Sequence, residues 1–133
     1  MIPEEKFMLK AIEAAKKSVE NGDYSHGSVI VKDGKIISTG YETLKSANDP
    51  VNGHAEIDAI RKACKVLGEG YLKDCVVYTT AEPCPMCAAA IYWAKAKGVV
   101  YGTDRKDMIS HMKKKGNRRF SWRQSNLSSK EIF

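Results

Sequence analysis

The stretch Cys75-Val-Val-Tyr-Thr-Thr-Ala-Glu-Pro-Cys-Pro-Met-Cys-Ala-Ala-Ala-Ile-Tyr-Trp-Ala-Lys-Ala-Lys-Gly-Val-Val-Tyr-Gly102 decides the fold. Its first residues, Cys75–Thr80, form a compact run of strand-favouring side chains; Pro83–Lys97 is alanine-rich and reads as a helix; Val99–Gly102 is a second short strand. Strand, helix and strand in succession imply parallel pairing through a right-handed crossover, in a sheet covered by helices. Pro83 and Pro85 mark where the helix opens, because proline is tolerated where backbone N–H groups have no intrahelical partner. Cys84 and Cys87, three residues apart in that first turn, project from one face and can grip a single metal ion.

Working outward, Ile57, Ile60, Cys64 and Leu67 recur at helical spacing up to Gly68, so a second helix begins near His54. Before it, residues 42–53 are polar and carry Asn48-Asp49-Pro50 and Gly53, which marks a loop. Ser28–Lys32 and Lys35–Tyr41 flank Asp33-Gly34, the pair favoured by a two-residue hairpin turn with positive φ at both positions. Residues 3–21 read as an amphipathic helix with Met8, Ala11, Ile12, Ala15 and Val19 on its apolar face and Asn21-Gly22 as the stop. The order is α-β-β-α-β-α-β, and the expected architecture is α/β: a three-layer α/β/α sandwich with a mixed central sheet. Beyond Asp104, Met108, Ile109 and Met112 could form one or two helical turns, and Phe120–Gln124 a last strand.

His54 opens the other crossover helix, so two helix N-termini can meet at one sheet edge, beyond the carboxyl ends of parallel strands. His54, Cys84 and Cys87 would then hold one zinc ion and leave its fourth position open. Cys64 lies about 15 Å along its helix from His54, and Cys75 about 20 Å from the far end of its strand, so neither reads as a fourth ligand. Taken alone, Cys-x-x-Cys also suits a zinc knuckle or a redox pair, and a lone histidine is commonly a satisfied surface or core residue. Two thiolates and a neutral imidazole cancel the charge of the ion and blunt its power to acidify water, so a nearby base is needed. Glu56, two residues past His54, is directed away from the same ligand position and can act as that base; the alternative is an exposed charge favoured in a first helical turn.

His54-Ala55-Glu56 together with Pro83-Cys84-Pro85-Met86-Cys87 is identified as the zinc deaminase signature. Over roughly Phe7 to Gly102 the chain resembles the cytidine deaminase-like superfamily, in the branch of guanine, cytosine and tRNA adenosine deaminases. The resemblance rests most on His54-Ala-Glu-Ile-Asp-Ala-Ile-Arg-Lys-Ala-Cys64, Thr80-Ala-Glu-Pro-Cys-Pro-Met-Cys87 and Ala90-Ile-Tyr-Trp-Ala94, which are similar to bacterial guanine deaminases. It implies the sandwich drawn above, a Zn2+ cofactor, and hydrolytic deamination of an amino-substituted nucleobase or nucleoside, guanine-type before cytosine-type. Zinc-bound hydroxide would add to the amidine carbon while Glu56 shuttles protons to the ring nitrogen and the departing amine.

Glu42, His26, Ala55 and Trp93 are the candidate substrate contacts. Relatives in this branch usually carry asparagine where Glu42 stands; a carboxylate only accepts hydrogen bonds, so a pocket-facing Glu42 favours a ring that presents N–H donors, as guanine or an aminotriazine does. A solvated strand-end glutamate is the competing reading. His26 is either a base contact or a rim residue. Tyr92 and Trp93 are core or interface aromatics first and base-stacking groups second.

At 133 residues the chain suits a single domain over 1–133. It has no apolar run near the roughly 20 residues of a membrane span and no secretory pattern at Met1-Ile-Pro-Glu-Glu, so a cytoplasmic enzyme with reduced cysteines is expected and a membrane partner is not. The net charge of +6 is concentrated in residues 105–133, where nine Lys/Arg face two Asp/Glu, against thirteen and fourteen elsewhere. That basic segment is a solvated surface or an RNA phosphate contact, the latter pointing to a tRNA adenosine deaminase. A negative Glu42 at the pocket mouth argues against phosphate. The basic segment also stands where guanine deaminases have a longer, acidic closing region; since the family commonly forms dimers, a homodimer whose partner subunit closes the site is expected. A catalytically silent structural zinc module is the non-enzyme alternative, and Glu56 is the residue it leaves without a purpose.

Overall fold

The computed structural model describes residues 2–104 together with Lys106, Asp107 and Ser110. The expectations for Met108, Ile109, Met112, Phe120–Gln124 and most of the basic segment lie outside the described residues. The elements are α1 (Glu5–Glu20), β1 (Gly27–Lys32), β2 (Lys35–Tyr41), α2 (Ala55–Leu67), β3 (Cys75–Ala81), α3 (Pro85–Trp93) and β4 (Gly98–Thr103), in the expected order. They form a four-stranded sheet ordered β2-β1-β3-β4. β1 is antiparallel to both β2 and β3, whereas β3 and β4 run parallel, so the sheet is mixed. Asp33 and Gly34 both adopt positive φ, 51° and 73°, as the hairpin turn requires.

The pleat sorts the strands onto two faces. Ile30 and Val77 pair with one another and pack with Ala59, Ala63, Leu72 and Ile91 under α2 and α3. Val29 and Tyr78, also paired, face the other way onto Phe7 and Ala11 of α1. This is the three-layer α/β/α sandwich.

Both large contacts depend on small residues. A Cβ at Gly27 would collide with Ala11 O and Ala15 N, and one at Gly40 would collide with Ala55 O and lie 2.7 Å from Ala59 N. Glycine in the strands and alanine in the helices let the layers close, and Ser38 Oγ then donates to Ala59 O at 2.8 Å. The apolar face expected for α1 is consequently rotated. Phe7, Ala11, Ala14, Ala15 and Ser18 are buried, whereas Ile12 and Val19 are exposed. In α2 the deepest positions are likewise Ala55, Ala59 and Ala63, flanked by the partly buried Ile60, Cys64 and Leu67. α3 is shorter than expected: Cys84 is its extended N-cap, and the chain leaves it before Lys95, which has a φ of 61°.

Candidate active site

One edge of the sheet collects the amino end of β1 and the carboxyl ends of β2, β3 and β4, because β1 alone runs against the other three. α2 and α3 both start there. His54 is the extended N-cap of α2 and Cys84 that of α3, so each helix delivers its ligand at its amino end. His54 Nδ1 lies 3.8 Å from Cys84 Sγ and 3.5 Å from Cys87 Sγ. Among the described residues these three form the one His/Cys/Asp/Glu group whose ligand atoms all lie within 4.8 Å of one another. Bonds of about 2.3 Å to sulfur and 2.0–2.1 Å to nitrogen at tetrahedral angles place N and S about 3.6 Å apart, so the trio fits zinc. Cys64 and Cys75 are free thiols outside it.

The three groups are electrostatically coupled. Hydrogen bonds from Cys87 and then His54 pull the Cys84 thiol down to about 4, and the bond to Cys84 pushes His54 up to about 9. Cys87, which donates a hydrogen bond to Cys84 and is buried, is pushed up. A divalent ion held by His54, Cys84 and Cys87 would replace these shared protons as counter-charge.

Two carboxylates stand beside the clamp. Glu56 is 7% exposed, and burial raises it to about 7, with a hydrogen bond from Cys87 among the opposing effects. Glu42 is 4% exposed, so it is not a solvated strand-end residue; burial raises it to about 7 against the pull of the nearby His54 and of the Ala55 N–H, whose hydrogen bond it accepts. The methyl group of Ala55 is fully buried and its N–H is given to Glu42. His26 is depressed by burial and then by the charge of His54, and it lines a groove of about 790 Å3 with Met8, Ile12, Thr80, Gly102 and Thr103 on the α1 side. Trp93 is not brought to the clamp. It ends α3, about 13 Å along the axis from Cys84, and is 74% exposed, with Tyr92 at 51%, so neither is a core aromatic.

Sequence reasoning missed the residues that hold this edge together. Ser18 of α1, 1% exposed, accepts a hydrogen bond from the Glu42 N–H at 3.0 Å, and its hydroxyl reaches His26 O and Ala14 O, both at 3.1 Å. It ties the start of β1 to the end of β2. Asp23 accepts hydrogen bonds from Lys45 N, Ser46 N and Ser46 Oγ, the last at 2.7 Å, which secures the loop leading to His54. Nothing local in the sequence singles out Ser18 or Asp23.

Asp23 is held below the usual carboxylate value by those bonds, the backbone and side chain of Ser46 first. Its contribution to stability is therefore present above the unfolded value of 3.8 and fades as pH falls through the lower folded value. Melting curves across pH should show Asp23→Asn less stable than the parent at neutral pH, with the gap closing in acid. A pH-independent gap would mean that the charge is immaterial.

A sandwich whose two crossover helices open on a His/Cys/Cys clamp beside a buried carboxylate defines a zinc deaminase domain. The chain belongs to the family described as the cytidine and deoxycytidylate deaminase zinc-binding region, which matches residues 1–103. It is 50% identical over 104 residues to a guanine deaminase of Bacillus subtilis, a match covering 77% of this chain and 66% of that protein. It is 38% identical over 97 residues to a tRNA-specific adenosine deaminase of Aquifex aeolicus, covering 73% and 64%. The chain thus spans slightly under two thirds of the length of these relatives. The crystal structure of a Bacillus subtilis guanine deaminase superposes with a TM-score of 0.78 at 47% identity, over 83% of this chain and 70% of that one.

Proposed function

We propose that the chain is a hydrolytic deaminase of amino-substituted nucleobases or nucleosides, guanine-type before cytosine-type, with His54, Cys84 and Cys87 as zinc ligands and Glu56 as proton shuttle. The observation that carries this reading is the buried Glu56 carboxylate beside a three-ligand clamp, where a structural site would close all four positions and require no base. Zinc, when bound there, acidifies water and polarises the group undergoing attack. Glu56 takes a proton from water and passes it to the ring nitrogen of the substrate amidine, then takes the second proton from the added hydroxyl and delivers it to the departing amine. A C–O bond forms, the C–N bond breaks, and ammonia and a ring carbonyl result.

A 50% identical guanine deaminase supports the guanine preference. The second reading, a tRNA adenosine deaminase, is favoured by several relatives at 38–41% identity and by the basic residues beyond Asp104. Exposed Tyr92 and Trp93 at the end of α3 suit contact with a second copy, as a homodimer requires. No helix among the described residues is long and apolar enough to cross a membrane; a cytoplasmic location belongs to this proposal.

Ammonia release measured over guanine, cytosine, adenine, their nucleosides and aminotriazines tests the activity. Release from a free base, guanine foremost, is the expected result. No release from any of them by zinc-loaded protein would overturn the proposal, and RNA binding that weakens steeply with salt would favour the tRNA reading.

A further inference from the structure

His54 opens α2 but makes no capping bond with its side chain, which belongs to the clamp. The turn that carries His54 and Glu56 is instead fastened from outside, by Asp58. The Asp58 N–H donates to His54 O at 3.0 Å, while its carboxylate reaches away from the helix backbone: Oδ2 accepts from Tyr41 N at 3.0 Å and from Lys62 Nζ at 2.7 Å. Lys62, one turn further along α2, donates to Thr39 O at 3.1 Å and lies 5.0 Å from the centre of the Tyr41 ring. Thr39, Gly40 and Tyr41 are consecutive in β2, an edge of the described sheet, where outward backbone groups have no neighbouring strand. Three successive residues therefore meet α2: Gly40 by close approach to Ala55 O and Ala59 N, and its two neighbours through Lys62 and Asp58.

A surface lysine–aspartate pair at (i, i+4) ordinarily contributes little. This one also binds two backbone groups of another element, and its Asp58 side chain is 28% exposed, against 63% for Glu13 in the pair that Lys10 and Glu13 make within α1. Resting on the deaminase reading above, we propose that Asp58 is a positioning residue for the reaction: it ties the first turn of α2 to the end of β2 and so sets where His54 and Glu56 stand in the clamp. Lys62 orients the carboxylate. A helix turn without a side-chain cap can shift by a fraction of an ångström at small cost to folding, whereas a proton shuttle tolerates no such shift. The role requires an acceptor at the place of Oδ2 more than it requires a charge, so asparagine retains it and alanine does not.

The test compares the zinc-loaded parent with Asp58→Ala, Asp58→Asn and Glu13→Ala. It measures kcat and KM, per bound zinc, on the base that releases ammonia fastest, and records the absorption spectrum of each protein after cobalt(II) is substituted for zinc. The expected result is that Asp58→Ala lowers kcat roughly 10-fold with KM within about threefold of the parent, and that Asp58→Asn recovers most of the loss. The cobalt bands, which report ligand geometry, should shift in Asp58→Ala and stay in place in Asp58→Asn and Glu13→Ala. A role confined to folding or metal loading would lower the amount of folded or loaded protein and leave kcat per bound zinc unchanged. That outcome, equal losses in the alanine and asparagine variants, or an unshifted cobalt spectrum in Asp58→Ala would overturn the role of Asp58 and leave the deaminase reading intact. If the parent releases ammonia from no base, the deaminase reading fails, and the cobalt spectrum alone decides whether Asp58 positions the turn.

Discussion

Replacing Glu56 with alanine is expected to lower kcat by roughly 10²–10⁴-fold while zinc stays bound, because the residue supplies proton transfer and no metal ligand. Its 7% exposure and its raised value of about 7 place its proton affinity near neutral pH, where a single group both accepts and returns a proton efficiently. The clamp should survive, since the N–S separations that define it are those among His54, Cys84 and Cys87 alone. Glu56→Gln is the sharper variant: it keeps the volume and removes the proton chemistry, so its loss should match that of alanine. Single-turnover ammonia release and metal analysis on the same samples decide the matter. Turnover within about tenfold of the parent, or loss of zinc along with activity, would show that Glu56 is structural.

The second large effect is expected at Gly40, where β2 closes on α2. A methyl group there lands on Ala55 O and within 2.8 Å of the Ala59 Cβ, and the obstacle is largely helix backbone. Overpacking of this kind costs about 1–3 kcal/mol, and a rigid helix places Gly40→Ala at the upper end of that range. To relieve it, α2 must lift at its amino end, the turn that carries His54 and Glu56. A displacement of about 1 Å in a reacting group can cost on the order of 100-fold in rate. Urea unfolding should therefore show lost stability, and the surviving folded protein should show weaker metal retention and lower kcat together. Gly70→Ala is the matched control: nothing lies within 4 Å of the added methyl, so its stability should change by no more than about 0.5 kcal/mol. Equal behaviour of the two variants would mean that the α2 contact is looser than the geometry requires.

These glycines also explain where reading the chain succeeded. Asp33-Gly34, Pro83 and Pro85 act locally, through φ and missing N–H groups, and local signals survive folding: the hairpin and the opening of α3 stand where they were expected. The meeting of His54, Cys84 and Cys87 was legible for a related reason, since helix starts carry their own punctuation. The burial of α1 was not. Periodicity weights large apolar side chains, so Ile12 and Val19 looked inward, while the contact is made by Ala11, Ala14 and Ala15 over Gly27. Small residues hide a packing face, because close approach rather than hydrophobic bulk is what they provide. Strand order was equally silent, since the central place of β1 depends on the antiparallel pairing of residues about 50 apart. Ser18 and Asp23 fall in the same class: their partners are assembled by the tertiary structure, and without it they are an ordinary serine and aspartate.

The proposed zinc ligands come from two helix starts thirty residues apart, with all of α2 and β3 between them. A short Cys-x-x-Cys pair alone could hold an ion in a largely unfolded chain, but a three-residue clamp of this span exists only when α2 and α3 have docked on the same sheet face. Loading and folding are thus one equilibrium, and each strengthens the other by the same free energy. Adding zinc should therefore raise the melting temperature by an amount that grows with the free zinc concentration, a dependence that calorimetry reads directly.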